Sequence, residues 1–239
     1  MLRSLAFLGS ALLAVPAAAL TIDFETFSHG DIVANGSTAQ SGYTLEVDHA
    51  SRNFDLAVAF DTNIAPSQTS DDDLLSDGGW SGGNLASDTD LGSILILQEN
   101  DNCSASNCSD PDDEGRRPAG TFTFLLDQTY SLFAFDLVDV EDSTAEAGEI
   151  SFFLGGTNGT SVASFTFEDL LMLGQGIAYG DNSANRVDLG LVGDYDTVRV
   201  RLGGSGGFDN LILAVPEPGT AALLGMGLAG LAAAGRRRR

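Results

Sequence analysis

Apolar and polar residues alternate along much of the segment 20–214. At its start, Ile22 and Phe24 would lie on one face of an extended chain, with Asp23 and Glu25 on the other. A period of two residues is typical of a β-strand with one buried face. This first candidate covers residues 21–27. The same alternation, or a short apolar run, marks further candidates at 43–48, 54–60, 93–98, 120–126, 133–138, 149–154, 161–167, 186–191, 198–202 and 208–213.

Clusters of Gly, Asn, Asp and Ser separate these candidates, and such residues favour turns. About ten short strands in a segment of this length indicate an all-β fold, and we predict a two-sheet antiparallel β-sandwich that is jelly-roll-like. The one helical candidate, residues 168–173, is too short to change the class. Two long polar loops, at about 62–91 and 99–119, interrupt the pattern. Neither resembles a linker, so we expect one domain over 20–214.

The first 19 residues have the pattern of a secretory signal peptide. Arg3 supplies the positive start, an apolar run follows from Leu5 to Val15, and Ala17, Ala18 and Ala19 form a small-residue cleavage site. A buried N-terminal helix is the alternative. Because the apolar run is short and a strand pattern begins directly after it, we predict a signal peptide at 1–19.

The charge of the chain excludes one class of partner. The sequence has 34 acidic and 11 basic residues, a formal net charge of -23, and every basic residue is arginine. The segment 20–214 holds 33 of the acids and six arginines, a formal charge of -27. Phosphate binding needs a basic face, so we expect no nucleic-acid partner. A hydrophobic content of 43% with 14 Phe argues against a disordered acidic chain.

The tail from residue 215 to 239 has three parts in order: a Pro-Glu-Pro triplet, an uncharged apolar stretch and an arginine cluster. The 16 residues 220–235 would make a helix about 24 Å long, against a bilayer core of about 30 Å. This predicts a short transmembrane helix with cytoplasmic arginines and the acidic body outside. The residues that carry the pattern are Val215, Pro216, Glu217, Pro218, Arg236, Arg237, Arg238 and Arg239.

This tail resembles the PEP-CTERM sorting signal of exported proteins of Gram-negative bacteria. The resemblance implies that an exosortase in the inner membrane processes the tail near the triplet. It also implies transit through the inner membrane and delivery to the cell surface or the exopolysaccharide matrix. A plain C-terminal membrane anchor is the alternative.

The two cysteines, Cys103 and Cys108, lie in the second polar loop. Two cysteines without a nearby histidine make a poor zinc site. In an exported chain, a disulfide between them is the better interpretation.

Calcium is the candidate cofactor, since it prefers six to eight hard oxygen ligands from flexible loops. The loop 110–115 offers Asp110, Asp112 and Glu114 at positions 1, 3 and 5, with glycine at position 6. An EF-hand needs Glu at position 12, where this chain has Thr121. The loop is therefore either an irregular calcium loop or a solvated acidic loop.

A second calcium candidate rests on a resemblance of the two ends of the body. The segments 23–25 and 208–211 are similar to the first and last strands of carbohydrate-binding and MAM-type jelly rolls. The resemblance implies neighbouring terminal strands with Glu25 and Asp209 as shared calcium ligands. Ordinary outward-facing acids are the alternative. The run 90–100, which leads into the acidic loop, resembles uncharacterised jelly-roll domains of other PEP-CTERM proteins, for which no activity is assigned.

Two further motifs bear on function. Residues 79–83 match G-x-S-x-G around Ser81, but loop sequence on both sides argues against a nucleophile elbow, and no spacing connects His29 or His49 to it. Trp80 lies between glycines in a loop, so of the few Trp and Tyr residues it is the one we expect to be most exposed. It is a candidate for stacking on a glycan, and a loop anchor packed onto the sandwich is the alternative.

The sequence as a whole predicts an exported cell-surface or exopolysaccharide-matrix protein that is not an enzyme. Its β-sandwich would be structural, adhesive or weakly glycan-binding, with extracellular polysaccharide as a partner and calcium as a stabiliser. The alternative is a secreted polysaccharide or ester hydrolase. A hydrolase would have a concave site with a carboxylate of raised pKa beside an aromatic wall.

Overall fold

Nine antiparallel strands and one short α-helix form the part of the chain that the computed structural model describes, residues 19–33, 41–113, 117–215 and 227. One compact unit spans Ala19–Val215. The elements are β1 Ala19–Ile22, β2 Tyr43–His49, β3 Ala57–Asp61, β4 Ser93–Leu97, β5 Gly120–Val138, β6 Glu149–Leu154, β7 Thr160–Thr166, α1 Phe167–Leu171, β8 Ala184–Leu202 and β9 Gly207–Ala214.

Several predictions made from the sequence concern residues outside the described ranges. These are residues 1–18 of the predicted signal peptide, the tail from Pro216 onward apart from Gly227, and Glu114. Within the described ranges, no helix combines the length and the apolar character that crossing a bilayer requires.

Two 19-residue strands, β5 and β8, form a long antiparallel ribbon that organises the fold. Their pairing runs from Gly120 opposite Leu202 to Val138 opposite Ala184, with three register irregularities. The sequence pattern divided each of these strands into two, and in β5 the interruption is the polar, exposed segment 127–129. That division is wrong: the polar residues interrupt the apolar pattern while the ribbon continues past them.

The remaining strands attach to different halves of this ribbon. Strand β2 pairs with the first half of β5, and β6 with the second half of β8, followed by β7. Strand β9 pairs with the second half of β5 and continues the sheet to β4 and β3. All of these pairings are antiparallel.

Aromatic side chains join the two halves of the sheet. Phe122, in the first half of β5, meets Phe208 of β9 with ring centroids 6.4 Å apart. Phe133, in the second half of β5, meets Phe152 of β6 at 5.1 Å. Neither pair belongs to adjacent hydrogen-bonded positions, so these contacts bring the halves face to face over a common core. The all-β antiparallel prediction is confirmed, and the packing is consistent with a β-sandwich.

The two long loops cover the outer face of β3 and β4. Alternate residues of these strands, Val58 and Phe60 with Ile94 and Ile96, point away from the main core into a second apolar cluster. Both strands are therefore buried on both faces. The loops contribute buried side chains to this cluster, namely Leu74, Leu75, Trp80, Leu91 and Cys108.

Candidate metal centre

The first and last strands of the described body are neighbours, as the resemblance to carbohydrate-binding and MAM-type jelly rolls implied. Strand β1 pairs with β9, with Ile22 opposite Leu211. The predicted first strand extended to Phe27, whereas β1 ends at Ile22 and the chain then turns. This turn carries Asp23 and Glu25 to the region of Asp209, whose carboxyl group both of them influence.

Asp209 is positioned by a β-bulge. It lies opposite Asp136 of β5, and β9 then has one residue more than β5 before Ile212 pairs with Ala134. A bulge locally redirects side chains. Asn210, with φ 48°, adopts the left-handed conformation that asparagine tolerates. Its amide Nδ2 donates to Asp136 Oδ2 at 2.9 Å and to Asp209 Oδ2 at 2.6 Å.

Asp23, Glu25, Asp136 and Asp209 make up what we call the terminal acidic group. Asp209 is fully buried, and its Oδ1 has no hydrogen-bond partner among the described residues. The pKa of Asp209 is raised to about 8, chiefly by burial and in smaller part by the neighbouring carboxylates, against the lowering effect of the hydrogen bond from Asn210. Arg186 Nε lies 3.1 Å from Asp136 Oδ1 and offsets one of the four charges.

Glu25 approaches this group from the solvent side. Its Oε1 accepts a hydrogen bond from the Ser93 backbone N–H at 3.1 Å. Gly92 has φ +59°, and a Cβ there would collide with the Glu25 carboxylate. Glycine is thus required for the close approach of this loop. Glu25 and Asn210 also line an open polar cleft of about 670 Å³, together with Asp61 and Asp90.

The terminal acidic group has the donor chemistry of a hard cation site. It offers carboxylate oxygens from the turn after β1, from β5 and from β9, and it contains no sulfur or imidazole ligand. Oxygen ligands from separate segments suit calcium. A bound cation would also neutralise the buried Asp209, which is costly to leave charged and unpaired.

The disulfide between Cys103 and Cys108 is present, as predicted. The acids that follow it are engaged with neighbouring side chains. The Asp110 carboxylate accepts from the Ser70 hydroxyl at 3.0 Å, and Asp112 Oδ2 accepts from Asn100 Nδ2 at 3.0 Å. Among the described acids of the loop 110–115, Asp113 is the buried one, only 2% exposed. The calcium-loop hypothesis, which used positions 1, 3 and 5, did not include it.

The structure corrects the expectation that the Trp80 side chain is exposed. We expected an exposed side chain able to stack on a glycan, but Trp80 is 5% exposed and belongs to the second apolar cluster. Its Nε1–H donates to the Thr89 carbonyl at 2.8 Å. The flanking glycines allow the loop to turn inward, so Trp80 anchors the loop.

Ser81 forms no nucleophile elbow. It lies in a loop, and its hydroxyl donates to the main-chain carbonyls of Asp181 and Asn182. The histidines are engaged elsewhere: His29 Nδ1 accepts from the Asp61 N–H at 3.2 Å, and His49 Nδ1 accepts from the Arg52 N–H at 3.1 Å.

A second group of acids was missed by the sequence analysis. Asp71, Asp73, Asp113 and Asp139, which we call the inner acidic group, converge from three segments beside the second apolar cluster. Asp71 and Asp73 are two positions apart in a run of three aspartates. A run of aspartates is usually a solvated loop. The structure shows otherwise here, because the Asp71 side chain is buried.

Residues 214–239 match the PEP-CTERM protein-sorting motif. The chain carries a PEP-CTERM sorting signal. The resemblance noted for the tail is thus confirmed, and the motif implies export, processing by exosortase, and a cell-surface or extracellular location.

Comparison with solved structures finds β-domains of low identity. The K2 cleaved adhesin domain of Lys-gingipain (Kgp) is 12% identical, with a TM-score of 0.37, covering 82% of this chain and 99% of that chain. CpGH89CBM32-6 produced by Clostridium perfringens is 12% identical, with a TM-score of 0.30, covering 74% of this chain and 94% of that chain. No curated protein sequence matches the chain. Functional inference therefore depends on the sorting motif and the acidic groups.

Proposed function

We propose that this protein is an exported structural or adhesive component of the cell surface or the exopolysaccharide matrix, without enzymatic activity. Its body would be a jelly-roll-like β-sandwich stabilised by calcium. The observation that carries the proposal is the sorting motif at 214–239, attached directly to the last strand of an antiparallel β-body. An apolar tail helix would hold the precursor in the inner membrane until exosortase acts.

Calcium at the terminal acidic group would connect the two ends of the body. Glu25 follows the first strand, Asp209 lies in the last strand, and the tail begins after Ala214. A cation bound by both acids would keep β1 paired with β9 where the tail leaves the fold. Extracellular modules bind calcium with Kd values of about 10⁻⁴ to 10⁻³ M, which suits a protein working outside the cell.

Contact with polysaccharide would occur through the open polar cleft. Carboxylate and amide groups of Glu25, Asp61, Asp90 and Asn210 line it and can hydrogen-bond to sugar hydroxyls. Its described lining contains no Trp or Tyr, the residues that usually stack on sugar rings. This favours weak, repeated contacts over tight recognition.

The alternative, a secreted polysaccharide or ester hydrolase, would need a nucleophile and a base within hydrogen-bonding reach. The Ser81 hydroxyl donates to main-chain carbonyls instead. The carboxyl groups of raised pKa among the described residues, Asp209 included, do not line the cleft. A structural or adhesive role therefore has more support.

The proposal is tested by deleting residues 215–239 in the native host. The full chain should remain with the cell-surface or matrix fraction, and the truncated chain should appear in the medium, as measured by immunoblot of fractions. Replacing Arg236–Arg239 with alanine gives a second variant that keeps the triplet. If the truncated protein stays on the cells, the tail is not the sorting element.

The adhesive part has its own test. Purified body is sedimented with exopolysaccharide from the same host, in calcium and in EDTA. Co-sedimentation that depends on calcium supports adhesion. Lack of co-sedimentation in both conditions would leave a purely structural role.

A further inference from the structure

We propose a second calcium site, formed by the inner acidic group: Asp71, Asp73, Asp113 and Asp139. It is separate from the terminal acidic group and independent of the proposed function. It would connect the two long loops to the end of β5.

The ligands come from three separate segments. Asp71 and Asp73 lie in the loop between β3 and β4, Asp113 lies in the loop between β4 and β5, and Asp139 directly follows β5. Ligand atoms of Asp73, Asp139 and the exposed Asp181 all lie within 4.8 Å of one another. Asp113 acts electrostatically on both Asp71 and Asp139, so the four carboxyl groups share one region.

Each buried carboxylate is held by one oxygen and leaves the other without a partner. Asp71 Oδ2 accepts from the Asp113 N–H at 3.1 Å, and Asp113 Oδ2 accepts from the Gly206 N–H at 2.6 Å. Asp139 Oδ1 accepts from the Asn182 N–H at 2.6 Å. These main-chain donors fix the orientation of the three side chains.

The remaining oxygens form a set of candidate ligands. Asp71, Asp113 and Asp139 are 3%, 2% and 0% exposed. Within the described part of the chain, no N–H or O–H group donates a hydrogen bond to the ionised oxygens Asp71 Oδ1, Asp73 Oδ1, Asp113 Oδ1 and Asp139 Oδ2, whereas a proton on Asp71 would be shared with Asp73 and Asp113. Buried polar atoms normally have partners. A cation held by Asp73 and Asp139 would supply one to their unpartnered oxygens and would offset the negative charge of the nearby Asp71 and Asp113.

The negative charge of the four carboxylates also favours binding of a cation. The ion pairs found among described residues include none of these four acids. Burial, and secondly neighbouring carboxylates, raise the pKa of Asp71 and Asp139; burial raises that of Asp113 in spite of its hydrogen bonds. Neutralisation therefore requires bound protons or a metal ion, and a divalent ion outside the cell can displace the protons.

Calcium fits this ligand set better than other common metals. All four side-chain donors are carboxylate oxygens, whereas zinc sites usually contain nitrogen or sulfur. Magnesium demands near-ideal octahedral geometry, while calcium accepts six to eight oxygens in flexible arrangements. Loop segments that also present carbonyl groups meet that requirement. Asn182 holds two such carbonyls nearby, donating from Nδ2 to Asp73 O at 2.6 Å and Leu75 O at 2.9 Å.

Calorimetric titration of residues 19–215 with calcium chloride tests the proposal. This segment contains every described strand and both apolar clusters. Asp139→Asn retains the acceptor for the Asn182 N–H, and asparagine tolerates the φ of 53° at this position. We expect Asp139→Asn to lose one equivalent of bound calcium, or to weaken its binding at least tenfold.

Two further variants separate the two sites and control for charge. Asp209→Asn should affect only the terminal site, so its loss of calcium leaves the inner site measurable. Asp72→Asn removes one charge from an exposed acid in the same loop and should behave as the wild type. Unchanged stoichiometry and affinity in Asp139→Asn would overturn the inner site, whatever happens to Asp209→Asn.

Thermal melting distinguishes a ligand from a purely structural carboxylate. Without calcium, Asp139→Asn should melt at or above the wild-type temperature, because it relieves repulsion. With calcium, only the wild type gains the full stabilisation. An equal loss of Tm in both conditions would overturn the proposal, and an equal response of the wild type to magnesium chloride would overturn the assignment to calcium. Asp113→Asn, which keeps an acceptor for Gly206, repeats the test if Asp139→Asn does not fold.

Discussion

Asp71 and Asp113 lie 42 positions apart in the chain and meet inside the protein, where the Asp113 N–H donates to Asp71 Oδ2 at 3.1 Å. The contact connects the two long loops beneath the surface. It also places two carboxyl groups together where neither is well solvated. The loops are thus part of the folded core, and their stability depends on how these acids are neutralised.

The calcium-free protein should become less stable as the pH rises. Asp209 has a folded pKa of about 8 against 3.8 unfolded, so the folded state binds the proton more tightly. Protonation of Asp209 therefore stabilises the folded state. This contribution to the free energy of unfolding is fully present below about pH 4 and is lost as the pH rises through about 8. Asp71, Asp113 and Asp139 shift in the same direction. Tm, measured by circular dichroism after dialysis against EDTA, should therefore fall across this range.

Calcium should flatten this profile, because the metal replaces the protons. Asp209→Asn should flatten it in part even without calcium, since asparagine does not titrate. A calcium-free Tm that increases from pH 4 to pH 8 would contradict the assignment of raised pKa values to these carboxyls.

Gly92→Ala should weaken the terminal site. The residue has φ +59°, where alanine costs about 1–2 kcal/mol, and its Cβ would collide with Glu25. We expect lower stability and weaker calcium binding at the terminal site, measured by calorimetry. Gly78→Ala is the matched control, because φ there is +98° but nothing lies within 4 Å of the added Cβ. Equal calcium affinities for the two variants would argue against Glu25 as a ligand.

Removing the disulfide should destabilise the loop that carries Asp110, Asp112 and Asp113. For the short loop between Cys103 and Cys108, the chain-entropy account gives a loss of about 2 kcal/mol in unfolding free energy. Urea unfolding of the Cys103→Ala/Cys108→Ala variant measures this loss. The variant should be insensitive to reducing agent, while the wild type should approach it on reduction. A wild type that does not respond to reduction would show that the crosslink contributes little.

Trp80 should matter for stability and not for glycan binding. Trp80→Phe retains an apolar ring but leaves the Thr89 carbonyl without its donor, a loss of about 1–3 kcal/mol. Trp80→Ala should cost about 3–5 kcal/mol, as for other buried aromatic truncations. Unfolding by urea gives both values. If Trp80→Phe instead abolished co-sedimentation with polysaccharide at unchanged stability, Trp80 would be a ligand contact.

Local patterns predicted most strands well. The period of two residues located β2, β4, β6 and β9 to within a residue or two, because each has an alternating or continuous apolar run between turn residues. The pattern could not show that residues 120–138 form a single strand. Continuity of the β5–β8 ribbon depends on pairing with a distant partner, and the exposed polar residues 127–129 gave the opposite indication.

The sequence by itself determined the sorting motif, the all-β class and the disulfide. These depend on short-range order: a contiguous motif, a two-residue period and a short cysteine spacing. The tertiary structure alone decided which acids are buried together and which remain in solvent. Asp113 and Asp112 are adjacent in the chain, yet Asp113 meets Asp71 and Gly206 while Asp112 meets Asn100. Burial of a carboxylate is set by long-range packing of the loops against β3 and β4, and this packing has no local signature in an aspartate-rich loop.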